Sequence, residues 1–219
     1  MNKGEWEEIS VGEIVEETVG GAWGKEEPYK DFAECKVIRG TDFPNIPLFK
    51  IEKIPTRYIK QQTIDEKQVK VGDLVIELSG GSKNQATGRC VYITQEFLDL
   101  FDTPVLCSNF CRIIRVKDDK VNPLWFYWYW SQTYNEGTTF KYENQPSGIK
   151  NFQLDEFLVN ELINIPDVKT QEDILKLFGD FHEIQANGRR MSYLIDDVIS
   201  KAFERIYYRD QLQITTEET

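Results

Sequence analysis

The chain has 219 residues, of which 40% are apolar and 29% are charged. This composition is typical of a folded globular protein and excludes the collagen-like and intrinsically disordered classes. The longest apolar stretch, residues 124–130, is far shorter than the roughly 20 residues that span a membrane. The N-terminus also has no apolar signal segment, and we therefore expect a cytoplasmic protein that does not associate with membranes.

The net charge of −11 is distributed unevenly along the chain. Residues 1–35 contain ten acids and three bases, and residues 152–208 contain eleven acids and six bases. Residues 36–70 have the opposite balance, with eight bases and four acids. Such a basic segment is compatible with contact to a polyanion such as DNA, although charged runs more often form a solvated surface. Both interpretations stay open on charge alone.

Four cysteines and a single histidine limit the chemistry available to the chain. The irregular spacing of Cys35, Cys90, Cys107 and Cys111 predicts reduced, mostly buried thiols rather than a disulfide framework or a zinc site. A Ser-His or Cys-His nucleophile would require His182, which lies among apolar residues in a predicted helix. We therefore expect no catalytic residue, no metal and no cofactor.

Short strands and turns dominate the first two-thirds of the chain. Continuous or alternating apolar residues predict strands over Val71–Leu78, Cys90–Ile93 and Cys111–Val116. The first two strands are joined by residues 79–89, which are rich in backbone amides, hydroxyls, side-chain amides and bases. These features predict a mixed α/β domain with a polar loop.

A short aromatic helix is predicted after this region. Asn122 and Pro123 are typical of a helix N-cap and first turn, and Gly137 lies just beyond the expected end. The large residues at positions 124–130 cannot all face one groove. We therefore favour core packing over a base-stacking platform for these side chains.

Apolar residues recur at steps of three and four after Pro166. This spacing predicts one amphipathic helix about 55 Å long, opened by a capping box at Thr170 and Asp173. A helix of this length favours pairing with another helix over packing along its own domain. The predicted contact stripe consists of Ile174, Phe178, Phe181, Ile184, Met191, Leu194, Ile195, Val198 and Ala202.

The fold class predicted from these patterns is α+β. A mixed α/β domain is expected over residues 1–166, followed by a single long coiled-coil-forming helix and a short tail over residues 167–219.

Several segments, taken in order, resemble the specificity subunit of type I restriction–modification systems. They are Trp6–Val15 with Gly20–Gly24, Val37–Phe43, Gly72–Ser82 continuing to Thr87–Arg89, and Ser147–Phe152 followed by Ile165–Pro166. The order and spacing of the segments are more specific than any one of them. The chain departs from the family after Pro166, where Asp167, Val168 and Lys169 replace the usual apolar-Pro-Pro stretch.

The resemblance implies a non-catalytic subunit that reads DNA. Its target-recognition domain would bind one half of a bipartite site in double-stranded DNA. Its helix would hold methyltransferase subunits, with a restriction subunit as a further candidate partner. S-adenosylmethionine would bind the methyltransferase and not this chain.

Full-length members of the family have two recognition domains and two long helices, whereas 219 residues hold one of each. The resemblance therefore predicts a half-length subunit, either natural or a fragment. Two such chains, joined through antiparallel helices as a homodimer, would read a palindromic bipartite sequence.

Base edges are read by forked donors and amides, with Arg or Lys suited to guanine and Asn or Gln to adenine. Two polar loops supply these groups, and bases in residues 36–70 fit phosphate contacts. For Arg39, an internal ion pair with Asp42 is an equally good interpretation. The predicted DNA-binding residues are Arg39, Thr41, Lys53, Arg57, Ser82, Lys83, Asn84, Gln85, Thr87, Arg89, Tyr142, Asn144, Gln145, Ser147 and Lys150.

Two alternatives remain from the sequence. In the first alternative, the chain is a decoy that sequesters methyltransferase subunits through its helix. In the second, it is a coiled-coil assembly protein whose head binds another protein. Absence of salt-dependent DNA affinity would indicate the second alternative.

Overall fold

The structure is a computed structural model that describes residues 6–80, 85–144 and 149–176, together with positions 188, 191, 194, 195, 198 and 201. The chain divides into two compact units. We name Met1–Lys176 the head and Leu177–Thr219 the tail, and describe each by itself.

The described part of the head contains twelve strands of two to seven residues, and most of them form where short apolar runs alternate with turns. They are Glu7–Ser10 (β1), Val15–Gly20 (β2), Phe32–Ile38 (β3), Thr56–Lys60 (β4), Leu74–Glu77 (β5), Ser79–Gly80 (β6), Cys90–Tyr92 (β7), Val105–Cys107 (β8), Cys111–Val116 (β9), Glu143–Asn144 (β10), Lys150–Phe152 (β11) and Leu162–Ile165 (β12).

Helices connect and cover these strands. They are Val11–Ile14 (α1), Gln61–Lys67 (α2), Gln95–Leu98 (α3), Pro123–Asn135 (α4), Leu154–Asn160 (α5) and residues 168–176 (α6), with single 3₁₀ turns at Gly40–Asp42, Ile46–Leu48 and Thr138–Tyr142.

The strands form four small sheets, with the orders β2-β9-β5-β7, β4-β3-β8, β10-β11-β6 and β1-β12. All pairs are antiparallel except β3 with β8. The three strands predicted from the sequence correspond to β5, β7 and β9, which lie together in the four-stranded sheet. The mixed α+β character of the head is therefore confirmed.

The four-stranded sheet is buried on both faces. Alternate residues of β9 point to opposite sides, so that Ile114 joins an apolar cluster with Trp130 and Phe157, whereas Ile113 joins a second cluster with Phe97. The sheet thus forms the middle layer of the head.

Helix α4 begins where the sequence predicted. The side chain of Asn122 caps it by accepting hydrogen bonds from the backbone N–H groups of Leu124 and Trp125, at 2.9 and 3.4 Å. Trp130 is fully buried, and its indole N–H donates to the carbonyl oxygen of Gly88 at 2.8 Å. Trp128, by contrast, remains exposed, so the aromatic run is only partly core.

The four cysteines are free thiols; Cys35, Cys107 and Cys111 are buried, and Cys90 is half-buried. Burial raises the pKa of Cys35 to about 11 and that of Cys90 to about 12. Thiols with such pKa values are almost wholly protonated at neutral pH and poor nucleophiles.

The predicted capping box of the last helix is wrong. Helix α6 is capped by Asp167, whose carboxylate accepts hydrogen bonds from the backbone N–H and the hydroxyl of Thr170, at 2.9 and 2.8 Å. The helix starts earlier because the fully buried Gln171 ties its first turn to the head. The Gln171 amide donates to the carbonyl oxygens of Pro166 and Lys120, and its oxygen accepts from the Asn122 backbone N–H.

Ile174, which was predicted to contact a partner, packs partly against the first core cluster of its own head. In the tail, the described positions are helical, and Met191, Leu194, Ile195 and Val198 are exposed there. Phe178, Phe181, Ile184 and Ala202 lie outside the described residues, as does most of the predicted long helix. In the described part of the chain, we find no helix with the length and apolarity that crossing a membrane requires.

Candidate nucleic-acid interface

A small sheet brings together the two polar loops that the sequence predicts separately. In the sheet β10-β11-β6, Lys150 pairs with Gly80, and Asn151 pairs with both Ser79 and Asn144. The Ser79 hydroxyl donates to the side-chain oxygen of Asn151. The segment that follows β6 and the segment between β10 and β11 therefore leave the head from the same three strands.

Glu143 is the carboxylate that joins these two segments. It accepts hydrogen bonds from the backbone N–H and hydroxyl of Thr87, at 2.9 and 3.1 Å, and pairs with the Lys150 ammonium group at 3.1 Å. Burial opposes ionisation of Glu143, but the bonds from Thr87 and Lys150 outweigh it and hold the pKa of this carboxyl below its ordinary value. Lys150 also donates to the carbonyl oxygen of Gln85 at 3.2 Å.

Arg89 and Glu77 form a second internal anchor. Two parallel hydrogen bonds of 2.8 and 2.9 Å join the guanidinium group to the carboxylate, and their side chains are only 16% and 5% exposed. Arg89 donates a further bond of 2.9 Å to the carbonyl oxygen of Gly40. Burial opposes the charge on Arg89, but the bonds to Glu77 outweigh it and raise the pKa of the guanidinium group.

The structure explains why the segment Val37–Phe43 has a glycine at position 40. A side chain at this position would collide with the Glu77 carboxylate, which packs directly against the backbone. With its amide in the orientation that its neighbours require, the Gln85 side-chain oxygen accepts from the Nε and Nη1 of Arg89, at 3.0 and 2.7 Å. The Glu77–Arg89 pair therefore connects the Gly40 turn to the end of the 81–84 loop.

Two further predicted arginines are also used internally. Arg39 makes hydrogen bonds of 3.0 and 2.9 Å to Asp42 and one of 2.7 Å to the carbonyl oxygen of Lys53, which is the ion-pair interpretation left open from the sequence. Arg57 pairs with Glu26 at 3.1 Å and lies over the Trp23 ring at 4.3 Å. These contacts direct both guanidinium groups toward the protein.

The remaining predicted residues fall into three groups. Thr41, Lys53 and Asn144 are exposed on the described surface. Tyr142 packs against the first core cluster and donates to a Glu161 carboxylate oxygen at 2.9 Å; burial and this bond raise its pKa to about 12. Ser82, Lys83, Asn84, Gln145 and Ser147 lie outside the described residues.

The two organising carboxylates, Glu77 and Glu143, were missed from the sequence. One signal was present for Glu77, because an acid at the end of a buried apolar strand requires a cationic partner. For Glu143 we find no such signal. Across the described ranges, no group of three or more His, Cys, Asp or Glu side chains is arranged to hold a metal ion.

Comparison with known protein families identifies the family to which this chain belongs. The model of the type I restriction modification DNA specificity domain matches residues 3–190. The chain belongs to this family. Specificity subunits of the family are non-catalytic, and their domain is the one named for DNA specificity.

Solved structures show the same fold. The specificity domain matches an S subunit of a type I restriction-modification system from M. genitalium with a TM-score of 0.54 and 10% identity, over 84% of this chain and 40% of that one. A chain from a structure of complex assembly and conformational transition in a type I R-M system matches with a TM-score of 0.55 and 13% identity, over 86% of this chain and 40% of that one. The HsdS subunit from Thermoanaerobacter tengcongensis matches with a TM-score of 0.50 and 15% identity, over 88% and 40%.

The specificity domain thus spans about 40% of the length of these solved relatives. No curated protein matches the chain.

Proposed function

We propose that the chain is the non-catalytic DNA reader of a type I restriction–modification system, and that the head reads one half of a bipartite site. The observation that supports this proposal is the sheet β10-β11-β6, in which the strands that flank both polar segments pair with one another. The undescribed parts of these loops, residues 81–84 and 145–148, contain Gly, Ser, Lys, Asn, Gln and Pro but no acid. They supply donors suited to base edges within an otherwise acidic chain.

The contacts in the described head support different roles for the anchored ends of the two loops and for the residues between those ends. Arg89, Thr87 and Lys150 are engaged with Glu77 and Glu143, so they fix where the loops start and finish. A reading loop with fixed ends loses less conformational entropy when it binds. We therefore assign base contact to Lys83, Asn84 and Gln145, which lie between the anchored residues in sequence, and contact with the DNA backbone to the exposed Lys53.

A bipartite site needs two heads. The exposed apolar side chains of the tail helix, Met191, Leu194, Ile195 and Val198, form a face suited to pairing with another helix. We propose that two chains pair through this face as an antiparallel homodimer, and that the same helices dock methyltransferase subunits and, in restriction complexes, a restriction subunit. Two inverted heads would then read a palindromic sequence.

The test uses the complex of this chain with its methyltransferase subunits. The triple variant Lys83→Ala, Asn84→Ala, Gln145→Ala changes the residues assigned to base contact and leaves Gln85, which bonds to Arg89, in place. It is compared with wild type for the DNA sequence methylated, the DNA affinity over a salt series and the binding of methyltransferase. A matched control, Lys30→Ala, Gln61→Ala, Gln62→Ala, removes the same types of side chain from exposed positions. These positions lie near the start of β3, where Phe32 pairs with Lys60.

We expect the loop variant to lose or change the recognised sequence while it retains the methyltransferase, and the control to behave as wild type. An unchanged recognised sequence in the loop variant would contradict the assignment of base contact to these three residues. A wild-type complex that shows no salt-dependent DNA affinity even with methyltransferase bound would instead indicate the coiled-coil assembly protein.

A further inference from the structure

The turn between β8 and β9 exposes a large apolar side chain. The Cys111 backbone N–H donates to the carbonyl oxygen of Ser108 at 2.8 Å, which closes a β-turn with Asn109 and Phe110 at its centre. The Phe110 ring is 59% exposed, and Asn109 is exposed beside it. An exposed ring on a tight turn contributes little to the core.

This turn is fixed to the start of the 81–84 loop. The carbonyl oxygen of Phe110 accepts hydrogen bonds from the backbone N–H groups of Leu78 and Ser79, at 2.8 and 3.2 Å. The Ser108 N–H donates to the carbonyl oxygen of Ile38 at 2.8 Å. A side chain at Gly21 would collide with the Ser108 carbonyl group, so the turn is packed tightly on its inner side. Phe110 is therefore held rigidly next to strand β6, from which the candidate reading loop leaves.

Arg112, two residues further on, is half-buried and has no counter-charge among the described residues. Its Nε atom is buried without a hydrogen-bond partner, and it forms no ion pair within the described residues. The other described arginines all pair with a carboxylate; they are Arg39, Arg57, Arg89 and Arg115. A half-buried guanidinium group without a counter-charge is costly, and a bound phosphate would remove that cost.

We propose that this turn is a third DNA-contacting element, in which Phe110 packs against the C5 methyl group of a thymine and Arg112 binds a nearby phosphate. The thymine methyl is the apolar group on the major-groove edge of the bases, and aromatic side chains contact it. A phosphate supplies the counter-charge that the described residues do not give to Arg112. The inference rests on the proposed function, since it adds residues to the same reading surface.

The experiment measures DNA affinity and methylation by the methyltransferase complex, on the sequence that the wild-type complex methylates. Phe110→Ala is compared with the control Tyr29→Ala. Tyr29 is 56% exposed and precedes the first residue of β3, whereas the last residue of β3, Ile38, pairs with Cys107 beside the turn. Each protein is also tested on DNA in which uracil replaces single thymines of the site. Thermal unfolding confirms that the variants are folded.

We expect Phe110→Ala to lower affinity about tenfold, and uracil at one position to weaken wild type but not Phe110→Ala. Arg112→Gln should weaken binding to all sequences and reduce the salt slope by about one, without changing the recognised bases. Tyr29→Ala should match wild type.

Wild-type affinity and uracil sensitivity in Phe110→Ala would overturn the inference while leaving the proposed function intact. An Arg112→Gln complex with an unchanged salt slope would overturn the phosphate assignment. If the wild-type complex itself reads no sequence, the proposed function fails and the inference fails with it.

Discussion

The guanidinium group of Arg89 faces inward, where its Nε and Nη2 atoms lie 2.8 and 2.9 Å from the two carboxylate oxygens of Glu77. Arg89 is one of the residues that sequence patterns favour for guanine contact, because it ends a polar loop. Its engagement with Glu77 and with the Gly40 carbonyl group makes it a support for that loop. These contacts direct Arg89 into the head, and we therefore assign base contact to other residues of the loop.

Replacing Arg89 with alanine is expected to lower the free energy of unfolding by about 3–5 kcal/mol, because Glu77 would remain as a buried carboxylate without a counter-charge. Urea unfolding at neutral pH measures this change. Glu26→Gln, which removes the 75%-exposed partner of Arg57, is the matched control. It should cost less than about 1 kcal/mol, and equal losses in both variants would show that the buried pair has no special weight.

The Glu143 anchor predicts a dependence of stability on acid pH. Because the folded protein holds the Glu143 pKa below its ordinary value of 4.5, this group contributes stability that is fully present above that pH. The contribution is lost as pH falls through the lowered pKa. Glu143→Gln should therefore be less stable than wild type at neutral pH, and the difference should shrink below about pH 4. A difference that stays constant from pH 7 to pH 3 would contradict the anchor.

Gln171 is expected to stabilise the packing of helix α6 on the rest of the head. Its side chain is fully buried and bonds to Asn122, Lys120 and Pro166, so Gln171→Ala leaves buried polar groups unpaired. The free energy of unfolding should fall by about 1–3 kcal/mol. The neighbouring exposed variant Glu172→Ala should change it by less than about 0.5 kcal/mol. Similar values for the two variants would refute the predicted role.

The tail face predicts the state of association. Leu194→Asp or Val198→Asp should convert the proposed homodimer to a monomer, because each change buries a charge in an apolar helix contact. Sedimentation velocity measures the association, and the unfolding transition of the head should be unchanged. Ser200→Asp is the control, since a repeat of 3.6 residues puts position 200 opposite the apolar stripe. Dimers that survive the Leu194 change would remove this face from the interface.

The central strands and helix α4 were predictable because their signals are local. Strand β9 has the predicted bounds Cys111–Val116, and Asn122 supplies the cap that its position indicated. The sheet β10-β11-β6 was not predictable, since strands of two or three residues carry no periodic pattern and Ser79 pairs with Asn151 across 72 positions. Long-range pairing of this kind depends on tertiary packing.

The two polar loops of the candidate site were predictable from the sequence, but the ion pairs and hydrogen bonds that join them to the rest of the head were not. Arg39 and Asp42 are three residues apart, so their ion pair was anticipated as an alternative. Arg89 and Glu77 are separated by the loop itself, and Thr87 and Glu143 are 56 positions apart, so no local rule joins them. The cap of α6 went to Asp167 rather than Thr170 because contacts of the buried Gln171 fix the first turn.

Sequencing the methylated bases in cells that express this chain together with its methyltransferase subunits tests sequence reading most directly. We predict one bipartite motif with palindromic halves, present only when this chain is expressed and absent with the methyltransferase subunits alone. The same methylation pattern with and without this chain would contradict its role as the DNA reader.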